Sequence, residues 1–238
     1  MKLQFFGKTY VVLTVPEERL YGCDLARTRR IQYKADPSHL SSALLRTVGA
    51  VVGGIAVGAV VALLIGGVLI SVEYSATVTK SNGWTTLPEC GKVGNNILVQ
   101  ALCADLLPAA NVPQEAVYWQ TALDGAGHRL NGQHDYIMQF PPAGLPPNSG
   151  FWSVTMYYTN HTFVSNSINR YEVSDNSGLV LNANGSLDIY IQNTPPAGNE
   201  SNWLPAPTGD FLLFLRIYLP GPAVLNGTYK PPPVVEVS

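Results

Sequence analysis

A single membrane-spanning helix ahead of a mainly β outer domain, built as a β-sandwich or jelly roll with one or two short helices, is the fold class this sequence predicts. Three observations predict it: a charge-free apolar run at residues 47–72, a later succession of short apolar runs broken by Pro, Gly and Asn, and a composition poor in charge. Only 13% of the 238 residues are Asp, Glu, Lys or Arg, against roughly a quarter in soluble domains. With 46% hydrophobic residues, the chain has ample apolar surface to bury, and global disorder is excluded. The net charge of −2, without a basic stripe interleaved with aromatics, gives no reason to expect nucleic acid as a partner.

The run at 47–72 holds little besides Val, Ala, Gly, Leu and Ile. As a helix it would be about 39 Å long, against a hydrocarbon core of about 30 Å, so it can cross a bilayer with some tilt. A buried core helix of that length would show a polar face, and a cleaved signal peptide would have a shorter apolar region nearer the N-terminus. Arg27, Arg29, Arg30, Lys34 and Arg46 precede the run, whereas only Lys80 and Lys92 follow closely. The positive-inside rule therefore predicts an uncleaved signal anchor, with residues 1–46 as a basic cytoplasmic tail and the remainder extracellular, periplasmic or lumenal. The lipid bilayer is the first expected partner. Gly49 and Gly53, and Gly54 and Gly58, have the spacing of close-packing helix pairs, which points to a homodimer or simply reflects a glycine-rich composition. In the tail, residues 10–15 look strand-like, the 27–34 basic cluster is a topogenic signal with possible anionic-lipid contact, and Cys23 is a lone thiol.

Two features bear on that topology. Cys90 and Cys103 both follow the span while Cys23 precedes it, the pattern of an oxidised pair outside and a reduced thiol inside. A Cys90–Cys103 disulfide is expected and would contribute about 3 kcal/mol in the chain-entropy model. The Asn-x-Ser/Thr sequons at Asn160, Asn184, Asn199 and Asn226 all lie after the span, as N-glycosylation in a permissive host requires.

Beyond the span, residues 73–94 read as a connecting strand and loop, with β-like alternation over 72–79. Residues 95–107 read as a helix ended by Pro108, with Ile97, Leu98, Cys103, Leu106 and Leu107 near one face. From Ala116 the period shifts to two, and Asp124-Gly125 reads as the turn of a hairpin returning through 136–140. Further strands are predicted at 151–159, 171–173, 179–181, 187–192 and 211–218, and Pro231-Pro232-Pro233 should be extended beside the last strand. Such strand spacing indicates a sandwich occupying residues 95–238.

The order Tyr118, Leu130-Asn131-Gly132, Tyr136, Phe151-Trp152-Ser153 with Thr155 and Tyr157, Arg170-Tyr171, Asn184-Gly185-Ser186 with Ile189, Asn202-Trp203-Leu204-Pro205, and Leu215-Arg216 with Tyr218 and Pro220 resembles the family called domain of unknown function 1214. The resemblance covers roughly residues 95–235. It implies a jelly-roll-like β-sandwich; a companion module that often precedes it, domain of unknown function 1254, has no room here. No biochemical activity comes with the family.

The chain has no Gly-x-Ser-x-Gly, so a serine hydrolase is not expected. Asp124, His128, His134 and Asp135 cluster locally, but histidines six residues apart do not match a zinc signature, and the sequence predicts no metal. Asp124-Gly125-Ala126-Gly127 reads as turn chemistry, without the ligand spacing of a calcium loop, and no phosphate-cradling loop or other cofactor site is predicted. Arg216 interrupts an apolar run, so it needs a partner, with Asp135, Asp188 or Asp210 as candidates; the alternative is a guanidinium lining an anion pocket. The same pair of readings applies to Arg170. Trp119, Trp152 and Trp203 either fill the core or offer a stacking surface. The candidate ligand-binding residues are thus His134, Asp135, Trp152, Arg170, Trp203 and Arg216. The expected function is a membrane-anchored binding or interaction module. The alternatives are a cell-surface hydrolase or carbohydrate-active enzyme using Asp135, Asp188 and His134, and a structural envelope component.

Overall fold

The computed structural model describes residues 2–5, 8–11, 37–107 and 109–237. The chain divides into two compact units, Met1–Ile65 and Gly66–Ser238. In the first, β1 (Lys2–Phe5) pairs antiparallel with β2 (Lys8–Val11), so the strand expected at 10–15 begins earlier and its residues 12–15 lie outside the described residues. Cys23 and the basic cluster at 27–34 also lie outside them.

Helix α1 (Pro37–Thr77) has proline at its first position, where no intrahelical donor is needed. Its Leu44–Thr77 portion is long and apolar enough to cross a membrane, and its most apolar window of eighteen residues has a mean hydropathy of 2.7 and is unburied. The helix runs through the stretch at 72–77 that alternation assigned to a strand. Once a helix is nucleated each further residue adds a hydrogen bond cheaply, and the Ser71, Ser75 and Thr77 hydroxyls donate to the carbonyls of Gly67, Ser71 and Glu73 at 2.8, 2.9 and 2.7 Å. Near its end, Ile70, Tyr74 and Val78 pack on a small core of Leu87, Cys90 and Leu102.

The second unit is a two-sheet β body. One sheet has six strands in the order β3 (Thr79–Ser81), β4 (Trp84–Thr86), β5 (Ala116–Thr121), β11 (Phe211–Tyr218), β7 (Trp152–Tyr158) and β8 (Glu172–Ser174). The other has four, in the order β10 (Trp203–Pro205), β9 (Leu187–Gln192), β6 (Tyr136–Phe140) and β12 (Val234–Glu236), with β9 and β10 parallel. Alternation decides which residues meet: Leu187, Ile189, Ile191, Met138 and Phe140 from one sheet share a core with Val154, Met156, Leu213, Leu215 and Ile217 from the other. Helix α2 (Ile97–Leu106) and the short α3 (Pro222–Leu225) complete the body.

Two expectations are corrected here. The segments 116–121 and 136–140 do not form a hairpin: β5 pairs with β4 and β11, whereas β6 pairs with β9 and β12. The chain between them crosses from one sheet to the other, through a bridge of Leu123 to Arg129 and a passage so close that a Cβ on Gly132 would lie 1.6 Å from the Pro207 carbonyl oxygen. The run at 179–181 is not a strand. Its Val180 amide and carbonyl are taken by the Asn202 side chain, both at 2.8 Å, so a buried side-chain amide replaces a neighbouring strand.

Candidate functional site

Strand β11 is the centre of the site because its two faces have different work. Leu213, Leu215 and Ile217 point into the core, while Phe214, Arg216 and Tyr218 lie on the outer face. The register sets Arg216 between Tyr118 of β5 and Ser153 of β7. Its guanidinium donates from Nη1 to Thr155 Oγ1 and from Nη2 to the Tyr157 hydroxyl, each at 2.9 Å, and lies 5.0 Å from the Phe214 ring centroid and 5.4 Å from that of Tyr157. None of the expected carboxylates partners it. Asp210 instead accepts from Asn131 at 2.6 Å and faces Arg129 at 3.8 Å, while Asp188 accepts from Gln139 and Asn182 at 2.7 and 3.0 Å. The Glu172 carboxylate is linked only through Thr155, whose hydroxyl donates to it at 3.4 Å. Arg216 therefore meets neutral acceptors and aromatic faces, and a guanidinium has five donors of which these contacts use two.

Above Arg216 is a groove of about 410 Å³, floored by Tyr118, Tyr157, Phe214 and Tyr218 and walled by the chain around Leu106 and Asn111. The wall is held by the Cys90–Cys103 disulfide, with Cα atoms 5.4 Å apart, and by Asn96, whose side chain caps α2 by accepting from the amides of Leu98 and Val99 at 2.9 and 3.0 Å. These anchors turn Val99 and Leu102 inward and leave Ile97 exposed, so the buried helix face differs from the expected one. A Cβ on Gly91, at φ +83°, would lie 1.9 Å from the Asn111 carbonyl oxygen, which makes glycine necessary where the disulfide loop meets the wall. Burial pushes the Tyr218 hydroxyl pKa up, against the opposing pull of Arg216, so it stays protonated at neutral pH. From the groove a row of rings continues: Phe214 to Tyr157 at 5.4 Å, Tyr157 stacked on Phe163 at 5.0 Å, and Phe163 to Tyr171 at 5.4 Å. Phe163 is 55% exposed, at the edge of a second depression of about 510 Å³ that Arg170 and Glu172 also line.

The other expected ligand residues are placed elsewhere. Trp152 is buried against Phe140, with centroids 5.2 Å apart. Trp203 donates to the Gln192 carbonyl at 2.8 Å, and Arg170 Nη1 donates to the carbonyls of Glu200 and Trp203 at 2.7 and 3.0 Å, holding the 3₁₀ turn Glu200–Asn202. His134 faces Glu236, Nδ1 to Oε1 3.0 Å, and the Asp135 carbonyl accepts from the Val237 amide at 2.8 Å. Because Asp188 is opposite Gln139, Asp135 and His134 are four and five residues away along the pairing, about 14–17 Å at a strand rise of about 3.4 Å. The Asp135, Asp188 and His134 acid–base set is therefore not assembled. All four sequon asparagines are exposed, and Asn160, Asn184 and Asn226 each accept from their own Thr or Ser hydroxyl at 2.7 Å.

Two features escaped sequence reasoning. The groove rings were hidden because Phe214 and Tyr157 sit in apolar runs that read as core; the signal was their alternation with residues that face inward. The contact of Glu236 with the Asp124–His128 turn spans more than a hundred residues and leaves no local trace.

No curated protein matches the chain. Among solved structures it is similar to the VPA0106 protein from Vibrio parahaemolyticus, with 29% identity and a TM-score of 0.53 over 61% of this chain and 36% of that one. A putative uncharacterized protein from Burkholderia cenocepacia matches at 16% identity and a TM-score of 0.36, over 54% and 31% of the respective chains. The chain thus spans about a third of the length of these two structures. Residues 115–222, which contain β5, β7, β11 and the whole aromatic floor of the groove, match the model of the family described as protein of unknown function (DUF1214).

Proposed function

We propose that the chain is a single-pass signal-anchor protein whose β body faces the cell exterior, periplasm or a lumen and binds, in the Arg216 groove, an anionic group carried on a ring. The observation that carries this reading is the pairing of Arg216 with neutral partners only, Thr155 and Tyr157, at the foot of a row of rings that runs from the buried Phe214 through the half-buried Tyr157 to the exposed Phe163. A half-buried guanidinium with donors to spare favours a carboxylate, sulfate or phosphate, and flat rings offer stacking area for a sugar or aryl body. The outward orientation is supported by the Lys/Arg asymmetry about the helix, by the disulfide at Cys90 and Cys103, and by exposed sequons open to glycosylation. The glycine pairs at 49/53 and 54/58 have open space where a Cβ would stand, which suits close approach of a second copy in lipid.

Calorimetric titration of the full chain in detergent micelles with tetragalacturonate and with cellotetraose tests the groove. The acidic oligosaccharide should bind about ten- to a hundredfold more tightly, the range of a charge-assisted hydrogen bond worth about 1.5–3 kcal/mol. Equal affinity, or no binding of the acidic compound, would overturn the reading. Protease added to intact cells should remove the chain beyond the helix and spare the basic tail; protection of the β body would reverse the orientation.

A further inference from the structure

We infer a second site, for a divalent cation of the zinc class, at the corner where the Asp124–His128 turn meets the C-terminal strand. Oxygens of Asp124 and Glu236 and a ring nitrogen of His128 all lie within 4.8 Å of one another. Three ligands around a tetrahedral ion at about 2.0–2.1 Å stand about 3.4 Å apart, so modest side-chain rotation closes the set. The moving parts can rotate: the His128 side chain is 75% exposed and that of Glu236 is 38% exposed. The fixed part is Asp124, whose side chain is 3% exposed. Its Oδ1 accepts from the amides of Ala126 and His128 at 2.9 and 2.7 Å, while Oδ2 is turned toward His128 Nδ1 at 3.3 Å. One oxygen thus builds the turn and the other is aimed at the cluster.

The surroundings supply the remaining requirements. His134 Nδ1 lies 3.0 Å from Glu236 Oε1, a histidine–carboxylate contact of the kind that orients a metal-binding carboxylate from behind, so His134 is a positioning residue. The corner opens on a depression of about 550 Å³ lined by Pro233 and Val234 as well as the ligands, which leaves room for water at a fourth position. Two carboxylate oxygens with one imidazole suit zinc, cobalt or manganese more than copper(I) or a thiophilic ion. The ion would clamp β12, an edge strand of three residues, onto the turn, reinforcing the backbone bond from the Gly125 amide to the Val234 carbonyl at 2.8 Å.

The test is calorimetric titration of the full chain in micelles with ZnCl₂, together with hydrogen exchange of residues 233–237 with and without zinc. Wild type and Glu89→Gln, a surface control, should bind one equivalent and show slower exchange in that segment. His128→Ala and Glu236→Gln should each weaken binding by at least about tenfold, the lower bound seen for outer-shell changes, and lose the exchange effect. Both alter exposed side chains, and unchanged thermal unfolding without zinc verifies that they fold. Absence of binding by wild type, affinity unchanged in either variant, or binding that leaves the 233–237 segment exchanging as before would each overturn the inference.

Discussion

The outer faces of the two sheets treat charge in opposite ways. On the four-stranded sheet, both oxygens of Asp188 are taken by side-chain amides, from Gln139 at 2.7 Å and Asn182 at 3.0 Å, so the charge is satisfied within the fold. On the six-stranded sheet, Arg216 has a hydroxyl from Thr155, a phenol from Tyr157 and two ring faces, but no carboxylate within salt-bridge distance among the described residues. The difference teaches where to look for function. Both charges have neutral partners, but each oxygen of Asp188 is occupied, whereas Arg216 uses two of its five donors and lines a groove, which leaves it available to a ligand.

The largest expected effect separates the two sides of a single strand. Leu215 is fully buried on the core face of β11, so Leu215→Ala should cost about 2–5 kcal/mol in denaturant unfolding through the cavity it leaves. Arg216→Met, one residue away on the outer face, should change stability by no more than about 1 kcal/mol, because the buried Thr155 hydroxyl keeps Glu172 as a partner and the Tyr157 side chain is only half-buried. Similar losses from both would show that Arg216 is a core element and erase the contrast.

Removing the disulfide sharpens the comparison from the wall side. With its ends thirteen positions apart in sequence, the paired change Cys90→Ser and Cys103→Ser should cost about 3 kcal/mol, and should loosen the groove wall while leaving the four-stranded sheet intact. Hydrogen exchange resolved by segment checks this, with faster exchange expected in α2 and unaltered exchange in β6 and β9.

A smaller effect concerns a polar group with neither arrangement. The Tyr229 hydroxyl is buried without a hydrogen-bond partner among the described residues, and burial pushes its pKa well above the ordinary tyrosine value. The folded protein therefore holds that proton where the unfolded chain, above about pH 10, releases it. Tyr229 contributes no pH dependence below that point. Above it stability falls by about 1.4 kcal/mol per pH unit from this group until the folded value is reached. Tyr229→Phe should stabilise the protein by about 1 kcal/mol at pH 7 and flatten the alkaline loss; unfolding curves at pH 7 and pH 11 check both.

How much of this was legible beforehand follows from the range of the physics. Strands 187–192 and 211–218 were delimited to the residue, because alternation of Leu187, Ile189 and Ile191 with polar neighbours is a local signal. The long apolar helix was legible from local composition too, although its continuation to Thr77 was not, since Ser and Thr hydroxyls bonded back along the helix carry a β-like sequence pattern. Pairing was the blind spot. Nothing near residues 116–140 says that β5 and β6 belong to opposite sheets, and nothing near Arg216 says that its neighbours will be Thr155 and Tyr157 rather than an aspartate. Residue type, and for Trp203 its place after the Pro195-Pro196 loop, makes Trp152, Trp203 and Arg170 ligand candidates, but each has a structural partner that only the tertiary fold brings near.

The central claim is that Arg216, and not a satisfied charge such as Asp188, makes the molecule a binding module. Parallel calorimetric titrations of wild type, Arg216→Met and Asp188→Asn with tetragalacturonate test it most directly. The account predicts that Arg216→Met weakens binding by about ten- to a hundredfold while Asp188→Asn leaves it within about twofold of wild type. Binding retained by Arg216→Met, or lost equally in Asp188→Asn, would contradict it.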